Sequence, residues 1–444
     1  MREYQRRDIE RTLLLFEFFH PKVSKDPRIY ADYLNELELV KTTQRMEETG
    51  IIIDRGASAK LLSFLENEID KLAYDLHKEL GFIVNLNSTQ VIKHILFNIL
   101  KLPVLEFNEE TGNAVVDKDV LFEYRKRYPL PILELILKSR SYGKASGMIK
   151  NYLDHCLQDG VIHPNIKTNH ARSGREACDN PNMQNVSKEI NVKNPYPVPL
   201  RKCFRARPGY VLLFYDYSGI EIRLIIEATR EPEMLQILQE GGDPHSIAAE
   251  IFYEDQYRNE TDRKVKKSLR GAAKNAHFAL AYGAGAGTIA LALNIPPEEA
   301  VRRVTNYKLR FPLIGKFSQT TAYQVINQGF ITTSFGRKLR INREKSYAAC
   351  NYLIQGTAAG IIKRAQVNLT KLIDQKYGWD TLRILVPIHD ELVLEMSRGL
   401  LPHLKEVYQD IRTTMITMPD IVAPLEVEGK MSTNTWFDAK ELKP

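Results

Sequence analysis

A chain of 444 residues, 43% of them apolar, has the length for about two to four domain-sized units with substantial cores. Its 62 Lys+Arg against 55 Asp+Glu leave a net charge of +7, which permits a polyanionic partner without demanding one. No run approaches the roughly 20 apolar residues of a membrane span, no apolar stretch follows the charged start as in a signal peptide, and the four scattered cysteines lack a C-x-x-C pair, so a reduced intracellular protein without structural zinc is expected.

Residues 1–45 carry a helical period and dense charge, and Tyr4, Asp8 and Thr12 read there as parts of a solvated face. Long helical periods follow over 56–82 and 117–155. Between them Asn85-Leu-Asn-Ser-Thr-Gln90 is a polar turn entering a helix, with Ser88 or Asn87 as its cap. The stretch from His163 to Gln184 is rich in polar and basic residues and leads into Asp179-Asn-Pro-Asn-Met-Gln-Asn185, which would also serve as ordinary turn chemistry. Val211-Leu-Leu-Phe-Tyr215 has the apolar run of a buried strand, and Asp216 stands at its end. Ser218-Gly219 then breaks the strand, and Ile220 to Ala228 has helical spacing. A carboxylate at that edge suits a hard divalent cation, and it equally suits capping of the next helix.

Residues 229–345 read as a long helical block. Within it Arg270, Lys274, Phe278 and Tyr282 recur every four residues, so they drift by about 40° per step across one helix face. That face is cationic at one end and aromatic at the other, roughly 18 Å apart along the axis. A nucleoside triphosphate has the same polarity, phosphates at one end and sugar and base at the other. Gly283-Ala-Gly-Ala-Gly287 follows a helix and lacks Lys-Ser/Thr, so it is a helix stop rather than a phosphate loop. Asn351 and Gln355 share one helical face. Two apolar β-like runs flank His389-Asp390, which reads as a tight hairpin.

These segments resemble the motifs of family A DNA polymerases, the DNA polymerase I family. Asp216-Tyr-Ser-Gly-Ile-Glu-Ile-Arg223 resembles D-Y-S-x-I-E-x-R, Arg270 to Gly283 resembles R-x-x-x-K-x-x-x-[FY]-x-x-x-Y-G, and His389-Asp390-Glu391 resembles H-D-E. Gly174-Arg175 with Pro181 to Asn185, Asp243-Pro-His245, and Asn351 to Ala359 are similar to further family segments. Met46 to Asp54 looks like the entry into the polymerase domain, and Tyr4 with Asp8 looks like the Y-x-x-x-D motif of a proofreading exonuclease. The sequence departs from the family at Glu176, Ala177 and Cys178, where an apolar residue and two serines are usual. It departs again at His277, where many relatives have Asn, and at Tyr347, where an Arg is usual.

The resemblance implies an α+β, right-hand polymerase fold, with an antiparallel palm sheet, a helical thumb and helical fingers. The implied segments are 1–45 (the remnant of a 3′–5′ exonuclease domain), 46–155 (thumb), 156–228 (palm, first part), 229–345 (fingers) and 346–444 (palm, second part). Asp216, Asp390 and the backbone carbonyl of Tyr217 would hold two Mg²⁺ ions. Lys274 would neutralise or protonate the leaving group, and Glu391 would support the primer terminus. Arg270, Lys274, Phe278, Tyr282, Glu221 and His245 would bind the dNTP, with Glu221 blocking a ribose 2′-hydroxyl. Arg175, Gln184, Asn185, Asn351, Gln355 and His389 would contact DNA; readout from the minor groove is nearly independent of sequence, as copying requires. The implied partners are primer–template DNA, dNTPs and, for a split enzyme, a separate polypeptide carrying the exonuclease half, in a bacterial cytoplasm or a phage-infected cell. Two alternatives stand beside this reading. One is a single-subunit RNA polymerase, against which Glu221 and the H-D-E triplet argue. The other is a non-catalytic DNA-binding relative or accessory subunit, which should have lost Asp216 or Asp390.

Overall fold

The computed structural model describes residues 2–86, 88–108, 111–186 and 196–442; Asn87, one of the two expected caps, lies outside the described residues. Ser88 does cap the next helix, accepting from Val91 N at 3.4 Å. The helical period at the start becomes two helices, Arg2–Val23 and Pro27–Thr49, the second capped by Asp26. Leu13, Leu14, Leu15, Phe16, Phe18 and Phe19 on the first are all exposed. The second is anchored by charge: Asp32 meets Arg337 at 2.9 Å and Arg364 at 3.0 Å, and Glu36 meets Lys363 at 2.8 Å.

Arg55–Leu80 and Pro131–Asp154 are the long helices expected after residue 55, and they pack along one another. Leu76, Leu96, Leu121, Tyr124, Leu133 and Ile136 form the apolar cluster beneath their far end.

The centre of the molecule is a five-stranded antiparallel sheet. Its order is Lys440–Glu441, Val427–Ser432, Tyr210–Tyr217, Glu391–Ser397 and Leu382–Ile388. Side chains alternate across a strand, and both faces of Tyr210–Tyr217 are covered. Val211, Leu213, Tyr215 and Tyr217 enter one core with Ile361 and Ala365 of the Ala349–Leu372 helix. Leu212 and Phe214 enter another with Phe204 and Trp436. That double burial is why the strand reads as an unbroken apolar run.

The segment 229–345 is helical only in part. Helices continue through Pro312–Gln328, then Gly329, at φ +75°, ends the last of them. Phe330–Thr332 and Lys338–Arg340 pair as a hairpin with Ile331 and Leu339 buried. Strands of three residues are too short to set a period of two against the surrounding helices. The hairpin lies so close to the Ala349–Leu372 helix that a Cβ at Gly356 would come within 2.5 Å of Leu339 Cδ1 and 3.2 Å of Ser173 O.

Among the described residues no helix is long and apolar enough to cross a membrane. All four cysteines are free thiols.

Candidate active site

Alternation along Tyr210–Tyr217 puts Asp216 on the face of Leu212 and Phe214, at the point where the apolar run ends. The register sets it directly opposite Glu391 on one neighbouring strand and Glu428 on the other. Like charges facing each other across a sheet are destabilising, so a fold that keeps three in a row is keeping them for a reason other than stability. Arg201 supplies part of the compensation: its Nη2 is 3.7 Å from Glu391 Oε1, and its guanidinium lies 4.7 Å over the Trp436 ring.

The expected hairpin at His389-Asp390 joins Leu382–Ile388 to Glu391–Ser397, with His389 in a left-handed conformation at φ +58°. Two-residue hairpins need such a conformation to match strand twist. The turn reaches the end of the central strand, where Tyr217 N donates to Asp390 O at 3.2 Å. Asp216 and Asp390, 174 positions apart in sequence, are thus brought to one edge of one sheet. Ser218 N is held by Glu426 O at 2.9 Å. Gly219, at φ +61°, then turns the chain so that Glu221 falls in the first turn of Ile220–Thr229.

The helix Arg263–Ala281 carries Lys274 exposed and Phe278 half-buried, and it ends at Tyr282, whose hydroxyl donates to Glu221 Oε1 at 3.4 Å. Burial and the neighbouring Glu221 push the Tyr282 phenol up. Phe278 and Tyr282 therefore lie on the side of the helix that meets Glu221, as the spacing predicts.

Two members of the expected nucleotide set are engaged differently. Arg270, expected open to phosphate, is held by Asp243 through Nε at 2.5 Å and Nη2 at 2.8 Å. Asp243 also caps Pro244–Tyr253, accepting from His245 N and Ser246 N. Burial alone would raise its carboxyl, but Arg270 and Ser246 bring it down to about 2. His245, expected to reach phosphate, is only 4% exposed, and its ring lies 5.2 Å from Phe278 and 5.4 Å from His277. Neither of its ring nitrogens has a hydrogen-bond partner. Burial lowers its imidazole to about 4, so the ring is neutral at physiological pH. A carboxylate 27 positions away, itself the cap of Pro244–Tyr253, accounts for Arg270; an apolar helix face accounts for His245.

A cleft of ≈ 250 Å³ brings seven of the expected residues together, while Asp216, Tyr217, Tyr282, Glu391, Asn185, Asn351 and Gln355 are not among those that line it. Arg175, Gln184, Glu221, Lys274, Phe278, His389 and Asp390 all line it, with Gly219, Ala358, Ala359 and Ile362. Asn351 and Gln355 share a face of Ala349–Leu372 as expected, and Gln355 Nε2 donates to Asn351 Oδ1 at 2.9 Å. Asn185 closes the short helical turn Met183–Asn185 and is exposed. Arg201 and Glu428 were not singled out by sequence reasoning: nothing local marks a strand partner or the arginine that faces it.

The sequence pattern of DNA polymerase family A matches residues 56–438. The thermostable DNA polymerase I of Thermus thermophilus is 30% identical over 454 residues, covering 97% of this chain and 52% of that protein. DNA polymerase I of Pseudomonas aeruginosa is 30% identical over 459 residues, covering 98% of this chain and 47% of that protein. The chain thus spans about half the length of the curated relatives it matches. Among solved structures, the POL domain of Pol1 from M. smegmatis, in complex with DNA primer-template and dNTP, matches with a TM-score of 0.79 at 28% identity, covering 91% of this chain and 70% of that one. The expected α+β architecture of a right-hand polymerase is borne out by that match.

Proposed function

The chain belongs to DNA polymerase family A, and from that premise we propose that it is a template-directed DNA polymerase that adds dNTPs to a primer 3′-hydroxyl and releases pyrophosphate. The observation that carries this reading is the cleft in which Arg175 and Gln184, Glu221, Lys274 and Phe278, and His389 with Asp390 meet. These come from four separate stretches of sequence, and each has a distinct task in copying. We assign thumb, palm and fingers to the segments expected above, with the hairpin at 330–340 in the fingers' last part.

Asp216, Asp390 and the Tyr217 carbonyl offer only oxygen donors, which fits Mg²⁺. Among the described residues no three His, Cys, Asp or Glu side chains cluster as a metal cage. Mg²⁺ commonly takes one or two carboxylates and completes its shell with substrate phosphates and water. What two such ions would supply is activation of the primer hydroxyl and neutralisation of charge at the departing pyrophosphate. The protein's own side chains do the rest. Lys274, exposed toward the cleft, neutralises or protonates the leaving phosphates. Phe278 and Tyr282 pack against the sugar and the templating position, and Glu221, held by Tyr282, closes the space a 2′-hydroxyl would need. Glu391 supports the primer end. Arg175, Gln184, Asn185, Asn351, Gln355 and His389 hold the duplex. Arg270 and His245 join the nucleotide site on release from Asp243 and from the Phe278 face.

The same reading extends to proofreading: this polypeptide alone does not degrade a mismatched primer end. Tyr4 and Asp8 lie in the charged first half of a helix whose later half exposes Leu13, Leu14, Leu15, Phe16, Phe18 and Phe19, and an apolar patch of that kind is ordinarily an interaction surface. A nuclease half, whether joined to this chain or a separate polypeptide, is the partner we propose for that patch.

Primer extension with Mg²⁺, comparing dNTPs with rNTPs, tests the proposal. Template-dependent elongation by dNTPs alone is expected. Binding of primer–template without elongation would leave the non-catalytic relative as the answer.

A further inference from the structure

Glu176 stands where the family resemblance calls for an apolar residue. Its backbone carbonyl accepts from Gln184 Nε2 at 3.2 Å, and its carboxyl Oε2 accepts from Gln366 Nε2 at 2.6 Å. One residue therefore ties the loop that carries Arg175 to the Ala349–Leu372 helix. The two oxygens left over, Glu176 Oε1 and Gln366 Oε1, are both shut off from solvent and without a hydrogen-bond partner. An ionised carboxylate can only accept, and so can the amide oxygen. The arrangement is one proton short. A carboxylic acid and a primary amide make two bonds: the amide N–H donates to the acid carbonyl, and the acid O–H donates to the amide carbonyl. One proton on Glu176 would satisfy both orphan atoms at once, and buried polar atoms are nearly always satisfied.

The surrounding charges are committed elsewhere. Lys363, one turn earlier on the same helix, donates to Glu36 Oε1 and to Thr168 O, each at 2.8 Å. Arg337 also binds Glu36 and Asp32. Glu36 lies close enough that its charge opposes a second carboxylate at Glu176. Glu176 is itself half-buried and lines the cleft, together with the cations Arg175 and Lys274 and the carboxylates Glu221 and Asp390. No salt bridge to Glu176 occurs among the described residues.

We propose that Glu176 is a positioning residue that takes up a proton near neutral pH and then pairs by two hydrogen bonds with Gln366, and that this pair fixes the Arg175 loop against the Ala349–Leu372 helix so that the loop grips the primer end. The last step rests on the polymerase reading above; the protonated pair does not. Burial, the largest influence, pushes the Glu176 carboxyl up to about 7, against the pull of Gln366 and Lys363. Raising the pH through that value removes the proton, sets two acceptors against each other and loosens the loop. Leucine at this position would hold the loop by apolar contact at every pH. Glutamate makes the hold conditional.

The test has two arms. In the DNA-free protein, ¹³C-glutamate NMR should show one carboxyl titrating near neutrality, absent from Glu176→Gln. In fluorescence anisotropy, primer–template Kd of the wild type should rise by up to about tenfold per pH unit above 7, the limit for one linked proton. Glu176→Gln, whose amide can make both bonds, should stay flat across that range and bind as tightly as the wild type does in mild acid. A glutamate that titrates only in the ordinary carboxylate range overturns the protonated pair. A Glu176→Gln variant that keeps the wild-type pH step overturns its role in primer grip. Failure to bind DNA at any pH would instead count against the polymerase reading, and the NMR arm would still decide the proton.

Discussion

His277 fills a buried slot between His245 and Tyr307, with ring centroids 5.4 Å from each and no hydrogen-bond partner for either nitrogen. Burial first, and His245 second, lower its imidazole to about 3, while that of His245 falls to about 4; both start from 6.5. A base with a lowered folded pKa contributes stability above its unfolded value and loses it as pH falls, because the unfolded chain takes the proton first. Between pH 8 and pH 5 each imidazole should cost about 2 kcal/mol, together about 4 kcal/mol. Both rings are still neutral in the fold at pH 5, so their mutual repulsion does not enter. Glu176 acts with the opposite sign: its folded value of about 7 lies above the ordinary 4.5. The fold therefore gains about 2.5 kcal/mol from it over the same range. Asp243, at about 2, loses its contribution only in stronger acid.

The wild type should thus lose about 1.5 kcal/mol from pH 8 to pH 5 on account of these three groups. His277→Asn removes one imidazole and should reverse the sign to a gain of about 0.5 kcal/mol, whatever it does to stability at pH 8. Glu176→Gln removes the offset and should deepen the loss to about 4 kcal/mol. Urea unfolding followed by far-ultraviolet dichroism at the two pH values measures all three. If His277→Asn loses as much stability as the wild type between pH 8 and pH 5, His277 is not a buried neutral imidazole and the reasoning fails.

Asp216→Asn or Asp390→Asn should lower extension by at least about a thousandfold, since charge aimed at a transition state carries the largest catalytic share, while primer–template Kd changes little because DNA affinity comes mainly from phosphate contacts; robust extension by either variant would remove the assignment. Glu221→Ala should raise ribonucleotide incorporation, and Phe278→Tyr should improve use of dideoxynucleotides by replacing a lost 3′-hydroxyl contact; unchanged discrimination in single-turnover assays of both would show the nucleotide site to be misplaced. Incubated with a 3′-mismatched primer and Mg²⁺ but no dNTPs, the purified chain should leave the primer intact. Metal-dependent shortening that survives Asp216→Asn and disappears with Asp8→Ala would refute the proposal that this polypeptide alone does not proofread.

What could be read from sequence, and what could not, divides along the range of the interaction. Asp216 was legible because an apolar run, an acid and a Ser-Gly break are all local. The hairpin at His389-Asp390 was legible for the same reason, and so was the face holding Lys274, Phe278 and Tyr282. Illegible were the pairings: that Asp216 faces Glu391 and Glu428 depends on strand register, and that Arg270 is clasped by Asp243 depends on how two helices cross. His277 gave no sign of burial, because an imidazole in a helix of alternating charge and alanine looks the same whether it faces water or a core. The strands at 330–332 and 338–340 are too short for a period to show.

The proposed nucleotide site has such pairings at its edge. On that reading Arg270 and His245 reach phosphate, yet in the fold Arg270 is clasped by Asp243 and His245 lies against Phe278. An arginine left facing solvent would gain little, and a helix cap without its arginine would hold a carboxylate less well. If Arg270 binds the nucleotide as proposed, binding includes the cost of undoing its two hydrogen bonds to Asp243, and the phosphates would have to offer the guanidinium a stronger partner than a carboxylate already engaged as a cap. Asp243→Asn would weaken that competitor while keeping the cap. It should lower the dNTP KM by about three- to tenfold, since a hydrogen bond to a charged group is worth about 1.5–3 kcal/mol and only part of it is lost. A higher KM in single-nucleotide extension would mean that Asp243 positions Arg270 for phosphate rather than withholding it.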